Sequence, residues 1–244
     1  MVIFIFLVLH WYLSLFSQTF FLHRYAAHSM FSMSKTWERV FYIFTWITQG
    51  SSYLSPYAYG ILHRLHHAHT DTAEDPHSPS YEKGLFALMF KTWKIYTAID
   101  NDQYPVEEKF KIGLPQWRSF DRFAGSNLVR LFWVAVYVLI YWQFATAWWM
   151  WLLVPVHCLM GPIHGAIINY FAHKYGYRNF EMEDTSKNFL PVDILMMGES
   201  YHNNHHKFIS RPNFGFRWFE LDPTYPVIKV LSLLRIIRLS GNAH

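Results

Sequence analysis

Apolar positions dominate the chain in long uninterrupted runs, and charged positions mark where the runs stop. No Asp, Glu, Lys or Arg occurs from residue 1 to His23, and none from Leu131 to His173. One bilayer crossing takes about 20 apolar residues. The first run therefore predicts one span over residues 1–22. The second, 43 residues long, predicts two spans over 128–149 and 151–172. Their turn is expected near Ala145–Trp151, where aromatic residues crowd as they do at membrane interfaces. Residues 1–22 lack the positive n-region and small-residue cleavage site of a signal peptide, so a membrane anchor is expected instead.

All 21 Lys and Arg fall in two stretches, Arg24 to Arg130 and Lys174 to Arg238. A hairpin of spans returns the chain to its starting face, so both stretches share one side. Their Lys and Arg content makes that side cytoplasmic. The segment 40–62 is apolar but is interrupted by Gln49, Gly50, Ser51, Ser52, Ser55 and Pro56. A histidine cluster lies on either side of it. Clusters that share one site must share one face, so this segment is predicted to be interfacial or re-entrant. The polar stretch Asp100–Gly125, with Pro105 and Pro115, reads as a surface connection. Without internal repeats or low-complexity segments, the expectation is one all-α integral-membrane domain over 1–244. It would be a transmembrane helix bundle of about three to four spans plus the interfacial helix, under a cytosolic histidine-rich cap.

Composition supports this picture. Charged residues are 16% of the chain, against about 25% in soluble domains. The formal charge of +4 is spread out rather than gathered in a basic block, which argues against nucleic-acid binding. One cysteine, Cys158, excludes a disulfide framework and a four-cysteine cluster within this chain. It reads as a small core residue.

The candidate chemistry lies in the 15 histidines. His23 and His28 form one group directly after the first run. His63, His66 and His67 form a second, and His202, His205 and His206 a third. In the last two the spacing is i, i+3, i+4, which puts three imidazoles on one helix face. His23 and His28, five apart, fit a helix end or a bend better than a regular face. Asn169 and His173, at i and i+4, point the same way at the end of the last span. Nine such nitrogens exceed the four ligands of structural zinc or the three of catalytic zinc. They suit two six-coordinate ions. Neutral imidazole accepts iron, copper and zinc alike, so ligand type does not name the metal.

A helical zinc protease would need H-E-x-x-H, and Arg64, Leu65 and His66 occupy the interior of His63 to His67. A carboxylate di-iron bundle uses paired E-x-x-H motifs. Glu74–His77 and Glu199–His202 match that spacing, but Pro76 disfavours a helix interior in the first and the extra histidines would have no role. Glu199 is left open between a partner of a ligating histidine and a surface residue.

The motifs HRYAAH, HRLHHAHTDTAEDPHSP, NYFAH, GESYHNNHH and RWFELDPTYPVIKVL, in this order, cover His23 to about Lys229. In them the sequence resembles the membrane fatty acid desaturases, closest to the acyl-CoA (stearoyl-CoA type) Δ9 desaturases. The resemblance implies two iron ions held by His23, His28, His63, His66, His67, His173, His202, His205 and His206, with Asn169 facing one iron through a water. It also implies an acyl chain in a bent tunnel beneath the metals, and O2-dependent removal of two hydrogens from adjacent methylenes. Family members usually have two crossings before the first cluster; here there is room for one, so either the N-terminus would lie outside or the missing helix is dispensable.

That chemistry fits the composition. An unactivated methylene offers no acidic proton, so its oxidation belongs to a metal cofactor. No haem, dinucleotide or iron–sulfur motif is present, so a separate donor is implied, a ferredoxin or a cytochrome b5-like protein. The substrate would be a long-chain acyl group on CoA, carrier protein or membrane lipid. Asp71 and Asp75 follow the second cluster and are candidates to orient ligating histidines, or turn-formers beside Pro76; His69 and His77 lie with them. His157 and His164, seven apart on the last span, are expected to bond to a neighbouring helix, and His10 and His244 carry no assigned role. A related membrane hydroxylase is the nearest alternative, told apart by its product. A metal transporter would call for carboxylates within the spans, which contain none.

Overall fold

The structure, a computed structural model, describes residues 1–240; His244 lies outside the described residues. Helix α1 (Val2–Phe16) runs on as a π-helix through Ser17–Ala27. The apolar helix is therefore 26 residues long, Val2–Ala27, and carries His23 within its last turns rather than after its end. A short strand β1 (Phe31–Met33) follows. Helix α2 (Lys35–Gln49) begins at Ser34, whose side chain accepts from Trp37 N, and α3 (Pro56–His69) begins at Ser55 with Pro56 in its first turn.

The polar residues Gln49–Ser55 thus separate two helices. Gly50 turns the chain at φ 54, and Gln49 Oε1 accepts from Leu54 N at 3.0 Å. Both helices pack against the π-helical segment. The chain leaves the first histidine group along α2 and returns along α3 to the second, which lies beside the first.

Helix α4 (Leu85–Asp100), which the charge pattern alone does not single out, packs on α3. The stretch to Gly125 is a connection with a 3-10 turn at Glu108–Phe110 and a short α-helix, α5 (Arg118–Ala124). Helix α6 (Asn127–Phe144) is the second element long and apolar enough to cross a membrane. A reversal at Ala145–Ala147 leads into Trp148–Leu153, α7 (Val154–Cys158) and α8 (Met160–Ala166), which continues through the π-helical turn Ile167–Phe171 and α9 (Ala172–Lys174).

The second half of the long apolar run, where a span is expected over 151–172, is bent. Trp148–Cys158 and Met160–Lys174 meet at 72°, and they make a third candidate span only when counted together. Pro162 has no N–H for the Cys158 carbonyl, and that carbonyl instead accepts from Ser51 Oγ at 3.3 Å. Gly161 N donates to Ser52 Oγ at 3.1 Å. The connector between α2 and α3 therefore satisfies the backbone groups that the bend exposes, as buried irregular backbone requires.

After a loop come α10 (His202–Lys207), α11 (Thr224–Leu233) and β2 (Ile237–Leu239), which pairs antiparallel with β1. The main core, built on Phe20, Phe21, Phe41, Tyr42, Tyr201 and Phe214, lies where α1, α2 and the C-terminal region meet.

Candidate metal centre and the cavity beneath it

The π-helical segment explains the five-residue spacing of the first histidine pair. In i→i+5 bonding each residue lies over the one five places on, and His28 N donates to His23 O at 3.2 Å. Both rings then face α3, where His63 and His67 stand one turn apart. The structure gathers the nine histidines into two groups, His23, His28, His63, His67 and His205 in one, and His66, His173, His202 and His206 in the other. Within the first, Nε2 of His23 is 3.0 Å from that of His205, His28 is 2.8 Å from His63, and His67 is 3.0 Å from both His63 and His205. In the second, His66 and His206 are 3.3 Å apart and His173 and His202 are 3.0 Å apart. Two nitrogens bound at right angles to one ion at about 2.1 Å would be separated by roughly 3 Å. The donor sets fit two metal ions on this spacing.

The outer nitrogens have partners of their own. His23 Nδ1 is 2.6 Å from Glu199 Oε2, His66 Nδ1 is 3.0 Å from both oxygens of Asp75, and His206 Nδ1 is 3.0 Å from Asp184 Oδ2. His173 Nδ1 meets Thr185 Oγ1 at 3.1 Å, and Thr185 in turn donates to Asp71 Oδ2 at 2.8 Å. A carboxylate on Nδ1 keeps the proton there and leaves the Nε2 lone pair for a metal. Burial pushes the His63, His66, His67, His202 and His205 rings well below the ordinary histidine range, so they stay neutral. Burial alone would raise the Asp71 and Asp184 carboxyls, but contacts with His173 and His206 outweigh it and hold both below the usual carboxylate range.

Both sequence candidates thus touch the cluster, Asp75 directly and Asp71 both through Thr185 and with Oδ2 3.5 Å from His173 Nδ1. Asp71 holds a left-handed backbone at φ 58 while doing so, a strained state of the kind that gathers at functional sites. Glu199, left open by the sequence, is buried against His23. Asp184 escaped sequence reasoning, as did the role of Arg24. That guanidinium is fully buried and reaches Glu199 Oε1 at 3.1 Å, Asp222 Oδ2 at 2.7 Å and Thr19 Oγ1, tying the first and third histidine groups to the C-terminal region. Gly198 (φ 95) lets the chain pass Asp222, whose Oδ1 would lie 2.4 Å from a Cβ there. His69 is apart from both groups and pairs with exposed Glu74.

The spans hold a separate polar cluster. His10 and His157 lie Nδ1 to Nδ1 at 2.7 Å, and His157 Nε2 meets Tyr141 OH at 2.9 Å. His157 therefore bonds to neighbouring helices as expected. The bend at Leu159 separates it from His164, whose ring stands edge-on to Trp11 with neither nitrogen hydrogen-bonded to protein.

Beneath the two groups is a largely apolar cavity. His23, His63, His202 and Asn169 line its head, and Leu15, Leu54, Leu62, Ile168 and Met196 its walls. An apolar cavity with convergent imidazoles at one end fits an alkyl chain laid below a metal centre.

The fatty acid desaturase family profile matches residues 1–232. The chain belongs to the fatty acid desaturase family. It is similar to the Delta-9 desaturase-like 3 protein of Arabidopsis thaliana, at 31% identity over 93% of this chain and 74% of that one. An sn-1 stearoyl-lipid 9-desaturase of Anabaena variabilis is 30% identical over 93% and 79% of the respective chains. The hex-5-enoyl-[acyl-carrier protein] acetylenase of Moorena producens (strain JHB) is 28% identical over 93% and 73%. This desaturase is an oxidoreductase whose histidine groups can hold metal.

Proposed function

We propose that this desaturase introduces a cis double bond into a long-chain acyl substrate at a di-iron centre facing the cytoplasm. The observation that carries the reading is the division of nine histidines into groups of five and four above an apolar cavity. The reaction consumes one O2, two electrons and two protons, removes two hydrogens from adjacent methylenes and yields two waters. Two iron ions, which the nine histidines would hold with Asn169 as a further candidate, would supply the O2-derived oxidant for that step.

The chain's own residues do the rest. Asp75, Asp184 and Glu199 fix the tautomer of the rings they touch, and Asp71 does so through Thr185. Leu15, Leu54, Ile168 and Met196 hold the alkyl chain against sliding, because a displacement of about 1 Å can cost 10²-fold in rate. The same apolar walls keep bulk water from the reacting carbons. A ferredoxin or a cytochrome b5-like protein supplies the electrons, since this chain carries no motif for a redox group of its own beyond the histidines.

The test is the fatty acid profile of an aerobic host expressing the chain, by gas chromatography with mass spectrometry, against His205→Ala. A new monounsaturated acid absent from the mutant is expected. A hydroxylated acid would place the enzyme on the hydroxylase branch instead. Iron content below two per chain in the purified protein, with no product, would refute the reading.

A further inference from the structure

We infer that the acyl chain reaches this cavity sideways from the bilayer, still esterified to a membrane glycerolipid, through a mouth between α4 and α8. The inference rests on the desaturase reading and names its acyl carrier.

Helix α4 has two apolar faces. Leu88, 1% exposed, lies with Met89 and Thr92 in the cavity wall. On its other side Phe86, Phe90 and Trp93 are 88%, 55% and 58% exposed. Those three are spaced i, i+4, i+7 and form one stripe. Lys94 borders it, with Nζ 4.7 Å from the centroid of the Phe90 ring, while Lys91 turns to Glu82 Oε1 at 3.2 Å. Lys83 stands exposed just before the helix. An aromatic stripe bordered by lysines is the pattern of a helix lying in a lipid interface, its rings among acyl chains and its ammonium groups at phosphate level.

Trp93 belongs to both surfaces, for it is exposed and also lines the cavity. The lipid-type face and the cavity wall therefore meet at this residue. Across from α4 the wall is Pro162 and Gly165 of α8, part of the bent apolar segment, and α4 and α8 are in contact. Helix α4 thus adjoins a candidate span, and Leu159 at the bend of that span is 53% exposed. A Cβ on Gly165 would meet only Asn169 Nδ2, at 3.8 Å, so the wall is thin there and the space beside it open. A chain sliding in from the bilayer would cross between Trp93 and Gly165 with its phosphate head near Lys94 and Lys83. A soluble carrier would have to deliver its thioester to a mouth rimmed by aromatic rings rather than by water.

The experiment is photolabelling of the iron-loaded full chain in phospholipid nanodiscs. One probe is a phospholipid whose stearoyl chain carries a mid-chain diazirine; the others are the same acyl group on CoA and on acyl-carrier protein. Adducts are mapped by peptide mass spectrometry. The lipid probe is expected to mark the buried cavity residues Leu15 and Met196. Gly165→Phe is expected to lower those adducts about tenfold while leaving adducts on the outer face of α6 unchanged. That variant counts when its iron content and melting temperature match the parent. Trp93→Ala, which widens the same mouth from its exposed side, is the independent check and is expected to retain or raise cavity labelling. Cavity adducts from the thioester probes alone would overturn the inference and leave the desaturase reading standing. Cavity adducts from no probe would overturn both. Unchanged lipid labelling in Gly165→Phe would overturn the position of the mouth.

Discussion

Glu199→Gln is the sharpest test of how the site is built. The Glu199 carboxylate takes His23 Nδ1 on one oxygen at 2.6 Å, and Arg24 at 3.1 Å together with Thr19 on the other. Burial alone would raise its pKa, but His23 and Arg24 outweigh that and hold it below the ordinary value, so the group is an anion. Glutamine has nearly the same shape and one acceptor fewer. Arg24 and Thr19 both donate, so they claim the amide oxygen and leave the amide N–H₂ facing His23. His23 Nδ1 must then accept, which moves the ring proton to Nε2, the nitrogen 3.0 Å from His205 Nε2. A metal must displace that proton. Loss of such an orienting partner lowers metal affinity about 10–100-fold, or roughly 1.4–2.8 kcal/mol. Only the five-histidine group is affected, so iron titration at buffered Fe(II) should show one weakened site and one unchanged. Glu199→Ala should add a stability loss of about 3–5 kcal/mol, because it removes one partner of a buried pair and leaves Arg24 with Asp222 alone. Two sites of unchanged affinity in Glu199→Gln would refute the reasoning.

Two further predictions concern stability. His10→Phe should cost about 1–3 kcal/mol in detergent unfolding by stranding His157 Nδ1, and the double variant with His157→Phe should cost less than the sum of the two singles, iron content being retained throughout; strictly additive losses would show that the pair is not coupled. Asp121 is buried against Tyr53 OH, and burial, reinforced by the charge of Asp100, pushes its carboxyl up to about 6 from 3.8. The fold then favours the neutral acid. This stabilisation is full below about pH 4 and is lost as pH rises from there through 6, a fall of about 3 kcal/mol in all that Asp121→Asn should flatten in melts taken from about pH 3.5 to 7.5.

What the sequence made legible was what local spacing encodes. The i, i+3, i+4 histidines needed only a helix to converge, and Asp75 stands nine residues from the His66 it touches. Glu199 and His23 are 176 residues apart, and Asp184 meets His206 from a loop with no periodicity. No pattern along the chain announces contacts of that kind. The uncharged run covers the apolar segments up to Phe144 and from Trp148 to His173, but charge does not report direction, and the 72° bend follows from Pro162 and the serines of another segment. Helix α4 was illegible for a related reason. It is apolar toward the cavity and apolar outward, so its sequence shows no single stripe.

The two histidine groups are also unequal in charge, which explains why Glu199 should matter more than any one carboxylate around the other group. Among the described residues, the five-histidine group has one carboxylate hydrogen-bonded to its rings, Glu199, and Arg24 already claims part of that anion. The four-histidine group has Asp75 on His66, Asp184 on His206 and Asp71 behind Thr185 on His173. Each of these anions favours a cation held by the ring in front of it, through a low-dielectric interior where the effect is strong. Removing one of three leaves the second group anionic, whereas removing Glu199 leaves the first group facing Arg24 without a carboxylate between them. The buried Arg24–Asp222 pair then acquires its own meaning. Asp222 takes up part of the guanidinium charge, and so lets Glu199 direct its other oxygen at His23.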